Sequence, residues 1–241
     1  MHSYWLLSTS TGLIKINKKL TASVKDLARR LGADLVGVAQ KDSFIEAPKG
    51  HSPEDLLRGA RSVIVMAINL LDASLESAPN REYSITYNVA NRELDQIAFR
   101  VARFLQDKGY RALQVPASPP YDISRNMGDL SHRHAGYLAG LGVFGKNSLL
   151  LSPKFGPRIR LVSVITDASL IADEPLDIDL CKDCDMCIRA CPARALKADR
   201  VVDKLRCDMH HVEVGKRLQL ADWEQICGVC ILVCPVGKTT R

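Results

Sequence analysis

Eight cysteines are the residues with the clearest chemistry in this sequence, and all of them lie in its last 61 residues. The first run has the spacing Cys-x2-Cys-x2-Cys-x3-Cys-Pro, and the second has Cys-x2-Cys-x3-Cys-Pro with one further cysteine upstream. The first spacing is typical of two-cluster ferredoxin sites, in which the fourth cysteine binds the other iron–sulfur cluster. The sequence therefore predicts two [4Fe–4S] clusters with crossed ligation.

Crossed ligation assigns every cysteine to one of the two clusters. Three closely spaced thiolates can wrap one face of a cube, whereas the fourth turns away after its spacer toward the neighbouring cube. One predicted cluster takes Cys181, Cys184, Cys187 and Cys234, and the other takes Cys191, Cys207, Cys227 and Cys230. Two all-cysteine zinc sites are the alternative, but zinc usually takes paired Cys-x2-Cys knuckles, which this spacing does not provide.

Composition and targeting signals define the class of protein. The chain has 241 residues, of which 46% are hydrophobic and 25% are charged, as expected for a globular protein. No stretch reaches the roughly 18 apolar residues that a membrane helix needs. The N-terminus lacks the features of a secretory signal peptide, and no long apolar run follows the Arg29-Arg30 pair as an export signal requires. We therefore expect a cytoplasmic protein with no membrane partner, in which clustered cysteines serve redox or metal chemistry and not disulfides.

Charge is distributed unevenly along the chain. From residue 170 onward there are 11 Lys and Arg against 12 Asp and Glu, whereas the preceding part has 22 against 15. The basic part allows an anionic partner such as a nucleic acid or a phosphate-bearing cofactor. No Lys/Arg run is dense enough to favour nucleic acid, so a solvated surface is the preferred interpretation.

The elements that must position the cysteines follow an α/β (α+β) pattern. Capping signals predict a helix at 24–31 and another that starts after Ser52, and a short helix is predicted at 135–138. Hydrophobic periodicity predicts a long helix, one face of which carries Leu94, Ile97, Val101 and Phe104. Apolar and β-branched runs predict strands at 34–39, 62–68, 110–115, 148–151 and 160–165. We predict an N-terminal lead-in at 1–22, an α/β lobe at 23–171 and a cluster-binding domain at 172–241.

A glycine-rich loop joins the predicted helix at 135–138 to the strand at 148–151. Gly140-Leu141-Gly142-Val143-Phe144-Gly145-Lys146-Asn147 matches two nucleotide-binding patterns, but both patterns need a strand before the loop and a helix after it. Because this order is inverted, neither an ATPase nor an NAD site is favoured. The three glycines instead predict that the backbone closely approaches a flat cofactor or the other lobe.

Several isolated residues could contribute to a site. One of the two histidines His132 and His134 could act as an acid/base group or as an axial ligand, although a structural, hydrogen-bonded role is favoured. His210 and His211 lie between the cluster ligands Cys207 and Cys227, where we expect them on the surface; the alternative is that they tune the neighbouring cluster through hydrogen bonds. Tyr83, Tyr87 and Asn91 could line a pocket, although core or capping roles are favoured for them.

The combination of these motifs resembles the epoxyqueuosine reductase family, which is related to corrinoid-dependent reductive dehalogenases. The resemblance rests on Ala139–Asn147, the following strand, Thr166-Asp167 and the two cysteine runs, and it extends from about Ser23 to Pro235. It implies a nitroreductase-like lobe joined to a small bacterial-ferredoxin-like double-cluster domain. It also implies electron flow through two clusters to a cobalamin held between the lobes.

The sequence departs from that family at the proton donor. Members that act on tRNA carry an acid in a Val-Asp-Ser-Ala-Pro segment, whereas the matching stretch here is Val115-Pro116-Ala117-Ser118-Pro119. Asp122 lies close to this stretch but out of register. The chain also stops soon after the second cysteine run, where longer members continue into a tRNA-binding tail. The resemblance thus supports a shared scaffold more than a shared substrate.

The sequence supports an iron–sulfur oxidoreductase that receives electrons from a ferredoxin- or flavodoxin-type donor and reduces a cofactor or substrate at the lobe junction. Cofactor or substrate contact is predicted for Gly140, Gly142, Gly145, Lys146 and Asn147, with His132, His134 and Asp122 as candidate proton donors. One alternative is a non-catalytic electron carrier that reduces a separate corrinoid or flavin protein. Another is a true tRNA epoxyqueuosine reductase that lacks the tRNA-binding tail.

Overall fold

A computed structural model describes residues 17–118, 127–221 and 226–238. Its strands are β1 (Leu35–Gln40), β2 (Ser62–Asn69), β3 (Ala112–Val115), β4 (Val143–Phe144), β5 (Leu150–Leu151) and β6 (Ile159–Thr166). Its helices are α1 (Lys18–Arg30), α2 (Pro53–Leu56), α3 (Asp72–Leu75), α4 (Arg81–Asp107), α5 (His132–Leu138), α6 (Met186–Ala190), α7 (Lys204–Leu218) and α8 (Val229–Leu232).

The main sheet has the strand order β1-β2-β6-β3, and all three neighbouring pairs are antiparallel. Strands β2 and β6 are the centre of the sheet and pair over their full length, from Ser62 opposite Thr166 to Asn69 opposite Ile159. Both strands are runs of apolar and β-branched residues, which favour a strand that is covered on both faces.

Helices cover both faces of this sheet. On one face, Ile64 and Met66 of β2 pack against residues of α1 and α4, including Val24 and Leu94. On the other face, Val63, Val65 and Ala67 pack against α5 and the segment that follows it. Alternate side chains of a strand point to opposite faces, so a single apolar run supplies both cores.

The structure confirms a mixed fold of helices and sheet but places the start of α1 earlier than predicted. The Asn17 side chain caps α1 by accepting a hydrogen bond from the amide of Leu20 at 2.9 Å, so the helix begins at Lys18 and Ser23 lies inside it. The predicted lead-in at 1–22 overlaps the first turn of this helix, and the division of the chain at that point stays a prediction. Helix α4 ends at Asp107, and Gly109 follows with a φ of +85°, in agreement with its predicted role as a helix stop.

The cysteine-bearing part follows the sheet and contains three helices in its described residues. Helices α6 and α8 are short and lie beside each other, and α7 has 15 residues. None of the three was predicted from periodicity. The domain boundary near residue 172 stays a prediction. In the described ranges, no helix combines the length and the apolar character that crossing a membrane requires.

Candidate cluster-binding site

Four thiols converge on one cavity beside the α/β lobe. Cys181 and Cys184 lie in the loop before α6, Cys187 lies in α6, and Cys234 follows α8. The cavity is lined by these four cysteines with Asn147, Leu151, Leu180, Met186, Pro235 and Val236. Cys234 comes from the far cysteine run, so its position beside the other three agrees with the pattern that crossed ligation requires.

These four thiols lie close enough to influence one another electrostatically. Burial raises the pKa of Cys187 to about 11, and the negative charges of Cys181, Cys234 and Cys184 add to the effect. A thiol surrounded by other thiols in this way resists ionisation until a cation compensates the charge, as iron does in a thiolate-bound cluster. The donor set and its surroundings thus fit a [4Fe–4S] cluster.

The remaining four thiols form a second group around α7 and α8. Burial raises the pKa of Cys207 to about 11, with further contributions from Asp208, Cys227 and Cys191. Burial also raises the pKa of Cys230, and the thiols that add to this increase are Cys227, Cys207, Cys187 and Cys191, so Cys230 also lies near a thiol of the first cavity. We call Cys181, Cys184, Cys187 and Cys234 the first thiol set, and Cys191, Cys207, Cys227 and Cys230 the second thiol set.

A histidine approaches the second thiol set from within α7. His211 lies one turn after Cys207, and its Nε2 is 3.7 Å from the Cys207 Sγ. Burial lowers the pKa of His211, which favours a neutral ring. His210 instead lies near Glu213 at 3.3 Å on the outer side of the helix. The structure therefore brings only His211 of this pair to a cysteine.

The end of the glycine-rich loop contacts the first thiol set. The backbone N–H of Lys146 donates to the Sγ of Cys181 at 3.4 Å, and its Nζ donates to the carbonyl of Lys182 at 2.8 Å. Asn147 is buried and lines the cavity. Both predicted contact residues thus lie against the predicted cluster site, and a backbone donor to a cluster thiolate is one of the means by which proteins tune cluster potential.

The three glycines of this loop provide space for the chain itself. The loop forms a β-hairpin of β4 and β5. A Cβ at Gly140 would lie 2.5 Å from the carbonyl oxygen of Glu174, and one at Gly142 would lie 2.3 Å from that of Leu151. At Gly145 a Cβ would lie 2.7 Å from a side-chain carbon of Leu151. The predicted close approach is therefore one of protein to protein, and cofactor contact by these glycines stays a prediction.

The candidate proton donors differ in their surroundings. The Nε2 of His132 donates to the carbonyl of Pro116 at 2.7 Å, and its Nδ1 accepts from the Ser163 hydroxyl at 2.9 Å. Burial lowers the pKa of His132 to about 4, so the ring is neutral and both nitrogens are occupied. This environment is that of a structural histidine and does not suit a proton donor. His134 is exposed and bonds to Ser131, and Asp122 lies outside the described residues.

A polar cluster that sequence reasoning only partly identified lies inside the lobe. Arg160 stacks on the Tyr87 ring with its guanidinium carbon 3.9 Å from the ring centroid, and its Nε donates to the Asn91 Oδ1 at 2.8 Å. Burial lowers the pKa of Arg133, and the positive charge of the nearby Arg160 lowers it further. Among the described residues, Asn91 Nδ2 and the Tyr83 hydroxyl are buried without a hydrogen-bond partner.

Tyr83 connects this polar cluster to the second thiol set. It is fully buried, and a Cβ at Gly228 would lie 2.3 Å from its ring. Gly228 separates Cys227 from Cys230 and has a φ of +79°, a conformation that favours glycine. Burial raises the pKa of Tyr83, so its phenol stays protonated. The ring of a neutral, buried tyrosine therefore lies against the loop that joins Cys227 to Cys230.

The chain is similar to a family of iron–sulfur domains and to two groups of reductases. Residues 180–237 match a family model described as a 4Fe-4S double cluster binding domain. Epoxyqueuosine reductase of Synechococcus sp. (strain RCC307) is 32% identical over 80% of this chain and 60% of its own length. Tetrachloroethene reductive dehalogenase of Desulfitobacterium hafniense is 30% identical over 93% of this chain and 49% of its own length.

Solved structures support the same relationship at the level of the fold. A reductive dehalogenase described in connection with B12-dependent dehalogenation superposes with a TM-score of 0.73 and 23% identity, over 98% of this chain and 34% of that one. The chain therefore spans between about a third and 60% of the length of these relatives. The resemblance derived from the sequence is confirmed, and so is the double-cluster domain.

Proposed function

We propose that this chain, a homologue of epoxyqueuosine reductases and reductive dehalogenases with a 4Fe-4S double cluster binding domain, is an oxidoreductase that reduces a ligand bound between its lobe and its clusters. The observation that carries the proposal is the convergence of three thiols of the first run and Cys234 of the second run on one cavity, which Asn147 and Leu151 of the lobe also line. The reducing electrons come, under this proposal, from a ferredoxin- or flavodoxin-type donor.

The first thiol set would hold one [4Fe–4S] cluster and the second thiol set the other. When bound, such clusters supply one-electron transfer at low potential. The chain's own contribution is orientation and charge. The Lys146 amide donates to Cys181 in the first thiol set, and the Ala195 amide donates to Cys191 at 3.3 Å in the second, where His211 also lies beside Cys207. Each set therefore has at least one hydrogen-bonding neighbour that favours the more negative, reduced state.

The polar cluster supports the position of the ligand within the lobe. Two arginines, Arg133 and Arg160, lie near each other, and their described hydrogen bonds go to uncharged acceptors. Half-buried cations whose described hydrogen-bond partners include no carboxylate favour an anionic group, and the orphan Tyr83 hydroxyl and Asn91 amide offer two more hydrogen bonds. The proposed ligand is therefore polar and carries negative charge.

A corrinoid is the cofactor that we propose for this position. Its periphery of amides and its phosphate match the chemistry of the polar cluster, and one structural relative is described in connection with B12-dependent dehalogenation. When bound, a corrinoid would supply a reducible cobalt centre. The protein would supply orientation through Arg160 and Asn91, and a neutral phenol at Tyr83 that can donate a hydrogen bond.

An anaerobic binding experiment tests this proposal. Protein purified without oxygen is incubated with cobalamin, passed through a desalting column and examined by visible spectroscopy, with a Tyr83→Phe and an Arg160→Gln variant alongside. Cobalamin bands that co-elute with wild type and are weaker in both variants would support the proposed site. A spectrum with only the iron–sulfur shoulder in wild type would contradict it.

A non-catalytic electron carrier is the second candidate, and one observation favours it. The stretch that carries an acid in tRNA-acting family members has Pro116 here, and the carbonyl of Pro116 binds His132 instead of presenting a proton donor. Under this candidate the chain reduces a separate corrinoid or flavin protein and retains no cobalamin itself. For the same reason we expect no conversion of epoxyqueuosine to queuosine when the chain is expressed in a strain that accumulates the epoxide, whereas full conversion would identify a tRNA epoxide reductase.

A further inference from the structure

Among the described arginines, Arg158 has the most deeply buried side chain. This side chain contacts the cysteine-bearing segment. Only 4% of its side chain is exposed. Its Nη1 donates to the carbonyl of Val236 at 2.7 Å, and its Nη2 donates to the carbonyl of Cys234 at 2.7 Å. The guanidinium thus binds the backbone of the one first-set cysteine that comes from the far run.

The backbone around Arg158 leaves little room for adjustment. A Cβ at Gly156 would lie 2.0 Å from the carbonyl oxygen of Val236, and one at Gly237 would lie 2.2 Å from the carbonyl carbon of Phe155. Both glycines have positive φ values, +57° and +69°. The turn before β6 and the loop after α8 are therefore in direct backbone contact. The buried Arg158 side chain stabilises this contact through its hydrogen bonds to the loop.

Arg158 also introduces a positive charge beside a thiol. Burial lowers its pKa, while the negative charges of Cys234 and Asp72 act in the opposite direction. Its Nε lies 3.7 Å from the Oδ1 of Asp72, whose side chain is 51% exposed and therefore partly screened by solvent. An arginine stays charged at any physiological pH, so the cation beside Cys234 is permanent.

We propose that Arg158 is a positioning residue that fixes Cys234 in the first thiol set and favours the reduced state of the group bound there. The inference rests on the proposed function, because it requires that this set holds a cluster. One-electron reduction adds one negative charge to a thiolate-bound cluster, and a fixed cation nearby stabilises the more negative state. Removing the cation should therefore lower the reduction potential of the cluster in the first thiol set and leave that of the cluster in the second thiol set unchanged.

The test is an EPR-monitored redox titration of the anaerobic holoprotein with four variants. Arg158→Gln removes the charge, and we expect the reduction equilibrium of one cluster to fall by roughly tenfold, which is about 59 mV for one electron. Arg158→Lys keeps the charge and should restore most of the potential. Asp72→Asn removes the opposing charge and should shift the same cluster in the opposite direction. Arg103→Gln, in an exposed arginine of α4, is the matched control and should shift neither cluster.

The outcomes separate this inference from the proposed function. Wild type with both clusters, together with unshifted potentials in Arg158→Gln and Asp72→Asn, would overturn the electrostatic role alone. If Arg158→Gln fails to retain a cluster, Asp72→Asn still decides, because an unchanged or lowered potential in that variant contradicts the inference. Wild type that binds no iron would overturn the proposed function and this inference together.

Discussion

The buried hydroxyl of Tyr83 leads to a prediction with opposite signs for stability and for binding. The side chain is fully buried, and its hydroxyl has no hydrogen-bond partner among the described residues. An unmade hydrogen bond of a buried polar group costs about 1–3 kcal/mol. Tyr83→Phe keeps the ring against Gly228 and removes only the orphan group. We therefore expect the variant to be more stable than wild type by about 1–3 kcal/mol.

The same substitution should weaken the binding of the proposed ligand. If the ligand accepts or donates the missing hydrogen bond, its loss costs about 1 kcal/mol, or a severalfold increase in Kd. The expected rise in Tm is roughly 2–4 °C for each kcal/mol in a chain of this size. Thermal unfolding of anaerobic protein measures the first effect, and cobalamin retention measures the second.

A control and a refuting result complete this experiment. Tyr110→Phe removes the hydroxyl of a half-buried tyrosine outside the polar cluster, and we expect a change within about 0.5 kcal/mol. A Tyr83→Phe variant that is less stable than wild type by more than about 1 kcal/mol would show that the hydroxyl is hydrogen-bonded within the protein. That result would remove the main reason for placing a ligand beside Tyr83.

Three further predictions follow from particular contacts. Gly228→Ala should destabilise the protein by about 2–5 kcal/mol, from the positive φ and the clash with the Tyr83 ring, and a smaller loss in the Tyr83→Ala background would confirm the clash by a double-mutant cycle. His132 has a folded pKa of about 4 against an ordinary value of 6.5, so its contribution is complete above pH 6.5 and falls by roughly 3 kcal/mol as the pH drops toward 4. His132→Asn should flatten this part of the stability profile, and an unchanged slope in denaturant titrations would contradict the assignment. Asp173→Asn should cost about 1 kcal/mol, since its carboxylate contacts the Lys25 Nζ at 2.5 Å but is partly exposed, and a loss above about 3 kcal/mol would show that screening was overestimated.

Much of the fold and of the cluster site can be predicted from the sequence because local patterns encode them. The strands β2 and β6 are rich in apolar and β-branched residues, and the cysteine spacing alone predicts two groups of four. The position of Cys234 beside Cys181 and Cys184 agrees with that division. Short-range spacing is thus informative wherever a metal cluster imposes its own geometry on the chain.

The remainder depends on contacts between distant residues. Helix α7 is polar on most of its surface and exposes Leu205, Met209 and Val212, so its periodicity does not resemble that of a core helix. Arg158 lies in an ordinary strand-edge position in the sequence, and only the fold brings it to Cys234. The glycine loop has the composition of a cofactor site, but its glycines are needed because neighbouring backbone occupies the space beside them.

The central claim is that each cluster takes one cysteine from the far run. EPR spectroscopy and iron analysis of anaerobic Cys191→Ser and Cys234→Ser variants test it most directly, against wild type that should hold about eight iron atoms per chain. We predict that Cys191→Ser damages the cluster of Cys207, Cys227 and Cys230 and spares the other, and that Cys234→Ser does the reverse. Loss of the Cys181–Cys187 cluster in Cys191→Ser, or wild type with about two zinc atoms and no iron, would contradict the account.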